Sequence, residues 1–129
     1  MVRQWSSQLA KIFAVSIVDD DESVREGMVG LMRSHGFAAT SFGSAEDFLR
    51  SEPGPTDCLI ADLHMPGMSG IELVNCLAAA GRTIPTILIT ARHDEGVRAQ
   101  AMRADVLCYL TKPFKEDELL RCIRAAMKG

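Results

Sequence analysis

The sequence predicts an α/β domain in which five parallel strands form a doubly wound sheet with helices on both faces. Short apolar runs rich in β-branched residues alternate strictly with segments whose apolar residues recur at helical spacing. The runs are nearly continuous in apolar residues, which is typical of strands buried on both faces of a parallel sheet. Right-handed crossovers between such strands produce the doubly wound arrangement.

Five segments predict strands. The first (IFAVSIV, 12–18), the third (DCLIAD, 57–62) and the fourth (IPTILIT, 84–90) are the clearest apolar runs. The second (FAATSF, 37–42) has a weaker pattern, and the fifth (VLCYL, 106–110) is short. Each run is followed by a segment of helical periodicity, so the strands alternate with helices along the chain.

Five segments predict helices, and several carry recognisable start signals. Ser44 and Asp94 are predicted N-caps, and the helix that Ser44 opens should end before Pro53. Ser69 and Glu72 have the spacing of a capping box. The last helix begins with acidic residues and ends with basic ones, as the helix dipole favours. The predicted helices cover residues 22–36, 44–52, 70–81, 95–104 and 115–129.

Length and composition indicate a single globular domain. The chain has 129 residues, 47% of them hydrophobic and 24% charged, close to the average of globular domains. The net charge of -3 argues against a surface that binds nucleic acid by charge alone. No apolar run approaches the ~18 residues of a membrane span. Residues 1–11 are interpreted as an N-terminal extension without the apolar core of a signal peptide, and 12–128 as the domain.

The cysteine pattern predicts thiols rather than a disulfide framework or a zinc site. No two of the four cysteines have C-x-x-C spacing, and each lies in an apolar or helical stretch. We therefore expect four buried, reduced thiols in a cytoplasmic protein. The four are Cys58, Cys76, Cys108 and Cys122.

Polar side chains stand where the predicted strands end. In open parallel sheets, functional sites form at the carboxyl ends of the strands. Each such residue alone has an ordinary explanation as a helix cap, a turn residue, a strand end or a solvated cation. Together they are unusual, because four separate strand ends place acids, a hydroxyl and a lysine at one edge. They are Asp19, Asp20 and Asp21 after the first strand, Asp62, Thr90 and Lys112.

This set of side chains suits phosphoryl transfer. Carboxylates packed together repel one another, so a proton or a cation must enter the cluster. Hard oxygen ligands suit Mg²⁺, and a carboxylate beside the metal can attack a phosphoryl group to form an acyl phosphate. Asp62 needs no base because it ionises well below neutral pH. Lys112 can neutralise the phosphoryl oxygens, and Thr90 can donate a hydrogen bond to them.

The ordered motifs over residues 12–128 resemble the receiver domain of two-component response regulators. "VDDD" resembles the acidic pair after the first strand, and "ADLHMPGMSG" resembles the phosphoacceptor motif D-x-x-M-P-x-M-x-G. "ITAR" and "YLTKPF" resemble the hydroxyl and lysine motifs. The forms of these motifs are most similar to the FixJ- and NarL-like regulators. The resemblance implies a CheY-like, flavodoxin-like (βα)5 fold with strand order 2-1-3-4-5.

The resemblance also implies a role for each site residue. Asp62 would be the phosphoacceptor and a Mg²⁺ ligand. Asp19 and Asp20 would be the acidic pair, with Asp20 the more direct ligand, and His64 would offer the metal its backbone carbonyl. The remaining three residues would bind the phosphoryl group or report its presence. Thr90 and Lys112 would contact it, and Tyr109 would be the aromatic switch that turns inward when Thr90 moves.

The resemblance implies that the output is binding rather than turnover. A sensor histidine kinase would donate the phosphoryl group, and a surface of the fourth helix, fifth strand and fifth helix would respond, controlling a transcriptional effector. A homodimer would form through that surface. The chain itself would bind neither nucleic acid nor membrane, and its only reactions would be self-phosphorylation and autodephosphorylation.

Two other functional classes are weighed against this interpretation. Phosphatases of the haloacid dehalogenase type use the same aspartyl chemistry, but they resemble this chain less because His64 stands where they carry a second aspartate. A flavodoxin-like cofactor binder needs a phosphate-binding loop after the first strand, where "DDDE" would repel phosphate.

Four positions depart from the family pattern or vary within it. Asp105 and Val106 replace the usual Gly-Ala, and Asp adopts a left-handed backbone less readily than Gly. We expect the neighbouring loop, and with it the dimer geometry, to differ. Arg92 and His64 flank the phosphoryl site, where they are expected to set the lifetime of the phosphoryl group.

Overall fold

The computed structural model describes residues 12–51 and 54–128, so the interpretation of residues 1–11 lies outside the described part of the chain. The predicted fold is confirmed. Five parallel strands form one sheet in the order β2-β1-β3-β4-β5. The strands are β1 (Ala14–Val18), β2 (Ala38–Phe42), β3 (Cys58–Asp62), β4 (Thr86–Thr90) and β5 (Cys108–Thr111).

Helices follow the strands in strict alternation and cover both faces of the sheet. One face packs against the first and fifth helices around Met32, Ile60 and Ile123, and the other packs against the second, third and fourth helices around Phe48 and Leu59. Burial on both faces explains why the strand sequences are apolar throughout. The helices are α1 (Glu22–Ser34), α2 (Ala45–Arg50), α3 (Gly70–Ala79), α4 (Glu95–Arg103) and α5 (Glu116–Lys128). Across the described ranges, none of them is long and apolar enough to cross a bilayer.

The predicted helix caps are confirmed. The Ser44 side chain accepts a hydrogen bond from the Asp47 N–H, and the Asp94 side chain accepts one from the Val97 N–H. The capping box is reciprocal, since the Ser69 N–H donates to Glu72 Oε1 at 2.9 Å and the Glu72 N–H donates to Ser69 Oγ at 3.2 Å. These bonds fix the starts of three helices at the sequence positions that signalled them.

The fifth strand begins two residues later than the predicted range of 106–110. Asp105 has a left-handed backbone with φ of 65°, and the Val106 N–H donates to the Ala101 carbonyl at 3.3 Å. Val106 therefore completes the end of α4, with its side chain buried, instead of pairing in the sheet. Asp105 thus adopts the backbone conformation expected of the glycine that it replaces.

The cysteine prediction is wrong for three of the four residues. Cys108 and Cys122 are joined in a disulfide between β5 and α5, with their Cα atoms 6.2 Å apart. Cys76 is free but exposed, and only Cys58 is both free and buried. Burial raises the pKa of the Cys58 thiol to about 12. The prediction failed because apolar context predicts burial but not which two cysteines meet across a strand and a helix.

Candidate functional site

Two neighbouring strands bring their terminal carboxylates together. β1 and β3 pair in register, with Val18 opposite Ala61, so Asp19 and Asp62 leave the sheet side by side. Carboxylate oxygens of Asp19, Asp20 and Asp62 all lie within 4.8 Å of one another. The structure therefore assembles the acidic cluster that the strand ends predicted.

Burial gives this cluster its electrostatic character. Asp19 is only 4% exposed. Burial is the largest cause that raises its pKa above the ordinary value; the Asp62 charge adds to the rise, and the Asp21 N–H bond opposes it. Burial likewise raises the pKa of Asp62, opposed by the His64 N–H bond and by Lys112. The apo cluster thus holds negative charge at a free-energy cost that a cation would relieve.

Lys112 lies beside the acidic cluster and is the cation that the sequence predicted there. Its Nζ is 4.0 Å from Asp19 Oδ2, and its side chain is 32% exposed. The Lys112 backbone N–H donates to the Thr90 carbonyl at 2.8 Å, which ties the loop after β5 to the end of β4. Lys112 thus supplies a single ammonium beside three carboxyl groups.

Thr90 ends β4 as predicted, and it is completely buried. Its Oγ1 donates to the Arg92 carbonyl at 3.0 Å and accepts from the Arg92 N–H at 3.2 Å. The hydroxyl is therefore occupied by the loop that follows β4. Its predicted contact with a phosphoryl group stays a prediction, and it would require these two hydrogen bonds to be exchanged.

Tyr109 lies on β5 opposite Leu88 and packs among the apolar residues on the α4 side of the sheet. Its ring meets the His93 ring edge-on, with the ring centroids 6.4 Å apart. Its hydroxyl is buried and finds no hydrogen-bond partner in the described part of the chain. A buried hydroxyl without a partner costs free energy, which makes this position less stable than an apolar side chain of the same shape.

The His64 side chain is exposed, and its backbone lies beside Asp62. The His64 N–H donates to Asp62 Oδ1 at 3.2 Å and so orients the carboxylate. The proposed use of the His64 carbonyl as a metal ligand stays a prediction.

Two features that shape the loop after β3 were not assigned from the sequence. A Cβ on Gly70 would lie 2.7 Å from the Asp62 carbonyl oxygen and 2.8 Å from Leu88 Cδ2, so only glycine lets α3 start this close to β3. Glu46 on α2 accepts from the Met68 N–H at 3.1 Å and holds the turn in place. Gly70 lies within the quoted motif, whereas Glu46 lies far from it in sequence and gave no signal.

The donor set fits a hard divalent cation such as Mg²⁺. Three carboxylates converge, two of them with pKa values raised by burial, and oxygen donors are the ligands that Mg²⁺ prefers. Asp19, Asp62 and Lys112 also line one end of an open cavity of about 340 Å³ whose other lining residues are apolar.

Comparisons with known proteins agree with this geometry. The family described as "Response regulator receiver domain" matches residues 15–124. The response regulator protein TodT of Pseudomonas putida is 38% identical over 128 residues, which cover 98% of this chain and 55% of TodT. The transcriptional regulatory protein FixJ of Bradyrhizobium diazoefficiens is 33% identical over 115 residues, which cover 88% of this chain and 56% of FixJ.

A solved structure shows the same fold. The crystal structure of FixJ-N superposes with a TM-score of 0.81 at 34% identity, covering 92% of this chain and 95% of that one. This chain spans about half the length of the curated relatives that it matches. Since the family match extends over most of the sequence, the chain belongs to the response regulator receiver domains, and its relatives place it with the FixJ-like type.

Proposed function

We propose that Asp62 accepts a phosphoryl group from a sensor histidine kinase and that this chain switches a transcriptional effector. Receiver domains of response regulators act as phosphoacceptor switches, and sensor histidine kinases phosphorylate them. The observation that carries the proposal is the approach of the Asp19, Asp20 and Asp62 oxygens to within 4.8 Å at the carboxyl edge of the sheet. Lys112 on the same cavity wall supports it.

Asp62 is the residue best placed to react. It ends a strand whose other residues are buried, and the His64 N–H fixes one of its oxygens. A carboxylate oxygen attacks phosphorus, the bond from phosphorus to the donor histidine nitrogen breaks, and that nitrogen keeps the electron pair and takes up a proton. The product is an acyl phosphate on Asp62.

Four oxygen donors would hold Mg²⁺, namely those of Asp19, Asp20, Asp62 and the His64 backbone carbonyl. When bound, the metal would neutralise charge on the carboxylates and on the phosphoryl oxygens. Lys112 would leave the vicinity of Asp19 to contact a phosphoryl oxygen. Its ammonium needs to travel little, because it already lines the cavity that Asp62 lines.

The switch would begin at Thr90. Its hydroxyl exchanges its bonds to the Arg92 backbone for a bond to the phosphoryl group, and the vacated space admits a new position of Tyr109. The buried hydroxyl of Tyr109 has no partner to lose among the described residues, which supports its role as the moving side chain. The equilibrium between the two arrangements carries the signal.

The output surface would consist of α4, β5 and α5. Met102 and Leu107 are large apolar residues that are 39% and 38% exposed on α4 and just before β5, which supports a homodimer through this surface. The net charge of -3 supports an effector that reads DNA through another part of the protein rather than through this domain. We place the domain at residues 12–128, after the extension 1–11, in the cytoplasm and off the membrane, with no catalytic turnover beyond self-phosphorylation and autodephosphorylation.

Incubation with acetyl phosphate and Mg²⁺ tests the proposal. We expect a mass increase of one phosphoryl group in the intact protein, and we expect Asp62→Asn to abolish it. Asp117→Asn is the matched control, because Asp117 is an exposed acid on α5 outside the cavity. Phosphorylation that survives in Asp62→Asn, or that does not depend on Mg²⁺, would refute the proposed acceptor or the proposed metal site respectively.

A further inference from the structure

The disulfide partners Cys108 and Cys122 lie outside the phosphoryl site and have no part in the proposed chemistry. Cys108 is on the edge strand β5 and is partly exposed, whereas Cys122 is on α5 and is only 8% exposed. Their Cα separation of 6.2 Å falls inside the range that disulfides require without backbone movement. The same side chains therefore fit as two thiols or as one disulfide in the same fold.

We propose that Cys108 and Cys122 form a reversible redox site whose oxidation restrains β5 and α5. The pair is not part of a cysteine-rich framework, and because Cys108 is partly exposed, the pair is reachable from solvent on one side and suits thiol–disulfide exchange. Cys58 is buried with its pKa raised to about 12, so it does not compete as a nucleophile.

Small disulfides such as oxidised glutathione supply the oxidant. The Cys108 thiolate, being more accessible, attacks one glutathione sulfur, and one glutathione leaves as a thiolate. The Cys122 thiolate then attacks the Cys108 sulfur and expels the second glutathione. Two protein thiols are oxidised to one disulfide, and one glutathione disulfide is reduced to two thiols, so atoms and electrons balance.

The position of the bridge gives it a consequence for signalling. The 14-residue separation closes a ring that contains Tyr109 and Lys112, the switch and the phosphoryl-binding residue. Cys108 packs on the α5 side of the sheet, and Tyr109 packs on the α4 side, so the bridge anchors the strand directly behind the aromatic ring. Oxidation would therefore oppose any shift of β5 that accompanies movement of Tyr109. This consequence rests on the proposed phosphoryl switch, whereas the redox site does not.

A glutathione redox titration of the whole chain tests the site itself. Before trapping, the oxidised protein should be lighter than the reduced protein by two hydrogen atoms. After trapping with an alkylating reagent, the oxidised protein should carry no label on Cys108 or Cys122, while exposed Cys76 stays labelled. Its melting temperature should exceed that of the reduced form by about 10 °C for a ring of this size. Cys76→Ser should behave like the parent protein, and Cys122→Ser should lose the difference.

Two results would overturn the redox site. One is labelling of Cys108 and Cys122 at every glutathione ratio. The other is a stable glutathione adduct on Cys108 that Cys122 never displaces. Because both are read on the parent protein, a failure of the Cys122→Ser variant to fold would not obscure either result.

A single fluorine label tests whether the disulfide restrains β5 and Tyr109. Tyr109 is the only tyrosine in the chain, so 3-fluorotyrosine gives one ¹⁹F resonance. Beryllofluoride with Mg²⁺ should shift that resonance in the reduced protein, and most of the shift should be lost after oxidation. Equal shifts in both forms would overturn the restraint. No shift in either form would also overturn it and would count against the phosphoryl switch, whereas the titration decides the redox site in every case.

Discussion

β3 carries the proposed phosphoacceptor and β5 carries the proposed aromatic switch, and the two strands differ in their burial. β3 lies between β1 and β4, and its first four residues are at most 1% exposed. β5 is an edge strand that pairs with β4 alone in the described structure, and all four of its residues are partly exposed. The proposed nucleophile ends the buried central strand, and the proposed aromatic switch Tyr109 lies on the more exposed edge strand. Reacting groups need fixed positions, whereas a switch needs an element whose rearrangement costs little.

The cysteines of these strands show the same contrast. Cys58 begins β3 and is fully buried, and burial raises its thiol pKa to about 12. Cys108 begins β5 and meets a partner on α5. The same residue type is inert in the central strand and available for chemistry at the edge, because burial disfavours the thiolate that reacts.

Truncating one aliphatic residue in each strand should give the largest measurable difference. Ile60→Ala in β3 should lower the free energy of unfolding by about 4 kcal/mol, because Ile60 is 1% exposed and the vacated space cannot fill. Leu110→Ala in β5 is the matched variant, and it should cost about 1–2 kcal/mol because the side chain is partly exposed. Urea denaturation measures both. Equal losses would show that β5 is held as firmly as β3.

Removing the ammonium near the end of β5 should have the next largest effect. Lys112→Gln should slow phosphorylation by acetyl phosphate roughly 10²-fold, as expected for loss of one group that stabilises charge on the transferring oxygens. Lys115→Gln is the control, since Lys115 is exposed in the same loop. Rates come from intact-protein mass spectra over time. A rate for Lys112→Gln within twofold of the control would show that the ammonium near the end of β5 does not assist phosphorylation at the end of β3.

A smaller effect should appear in the stability of the metal-free protein. Burial raises the folded-state pKa of Asp62 above the ordinary 3.8, so the folded protein binds more protons than the unfolded chain at intermediate pH. The contribution of Asp62 to the free energy of unfolding is therefore highest below the ordinary pKa and falls as pH rises through the raised one. Asp62→Asn should raise the melting temperature at pH 7 in EDTA, and the gain should shrink as pH falls towards 3.8.

Asp117→Asn should change the melting temperature little at either pH, because that acid is exposed. Mg²⁺ should stabilise the parent protein more than Asp62→Asn. If Asp62→Asn is no more stable than the parent protein at pH 7, burial of the Asp62 carboxylate at the end of β3 does not destabilise the fold.

The sequence predicted the fold and most of the site because both depend on local patterns. Apolar runs identified β1, β3 and β4, and a residue that ends a parallel strand must lie at the functional edge. The positions of Asp62 and Lys112 at that edge could therefore be predicted without a structure, and Thr90 ends β4 as predicted. The capping signals at Ser69 and Asp94 were equally local and equally accurate.

What the sequence could not predict depends on contacts between distant segments. Glu46 supports the loop after β3 from α2, and Cys108 meets Cys122 across a strand and a helix. No spacing rule encodes either contact. The start of β5 was misplaced for a related reason, since Val106 reads as a strand residue but its N–H completes the end of α4. β5, one of the two edge strands, thus begins at Cys108, two residues later than the sequence predicted.

Arg92 should have the smallest effect, on how long the phosphoryl group persists. Its backbone binds the Thr90 hydroxyl, and its side chain is exposed, so removing the guanidinium leaves the hydroxyl's partners in place. Exposed charges contribute at most about 1 kcal/mol, so Arg92→Ala should accelerate dephosphorylation by no more than about fivefold. Arg98→Ala, an exposed arginine on α4, is the control. The decay of the phosphorylated mass after removal of acetyl phosphate measures both. Identical decay in the two variants would show that the Arg92 guanidinium does not affect the lifetime of the phosphoryl group. That lifetime would then be set by the residues around Asp62 at the end of β3 and not by the loop between β4 and α4.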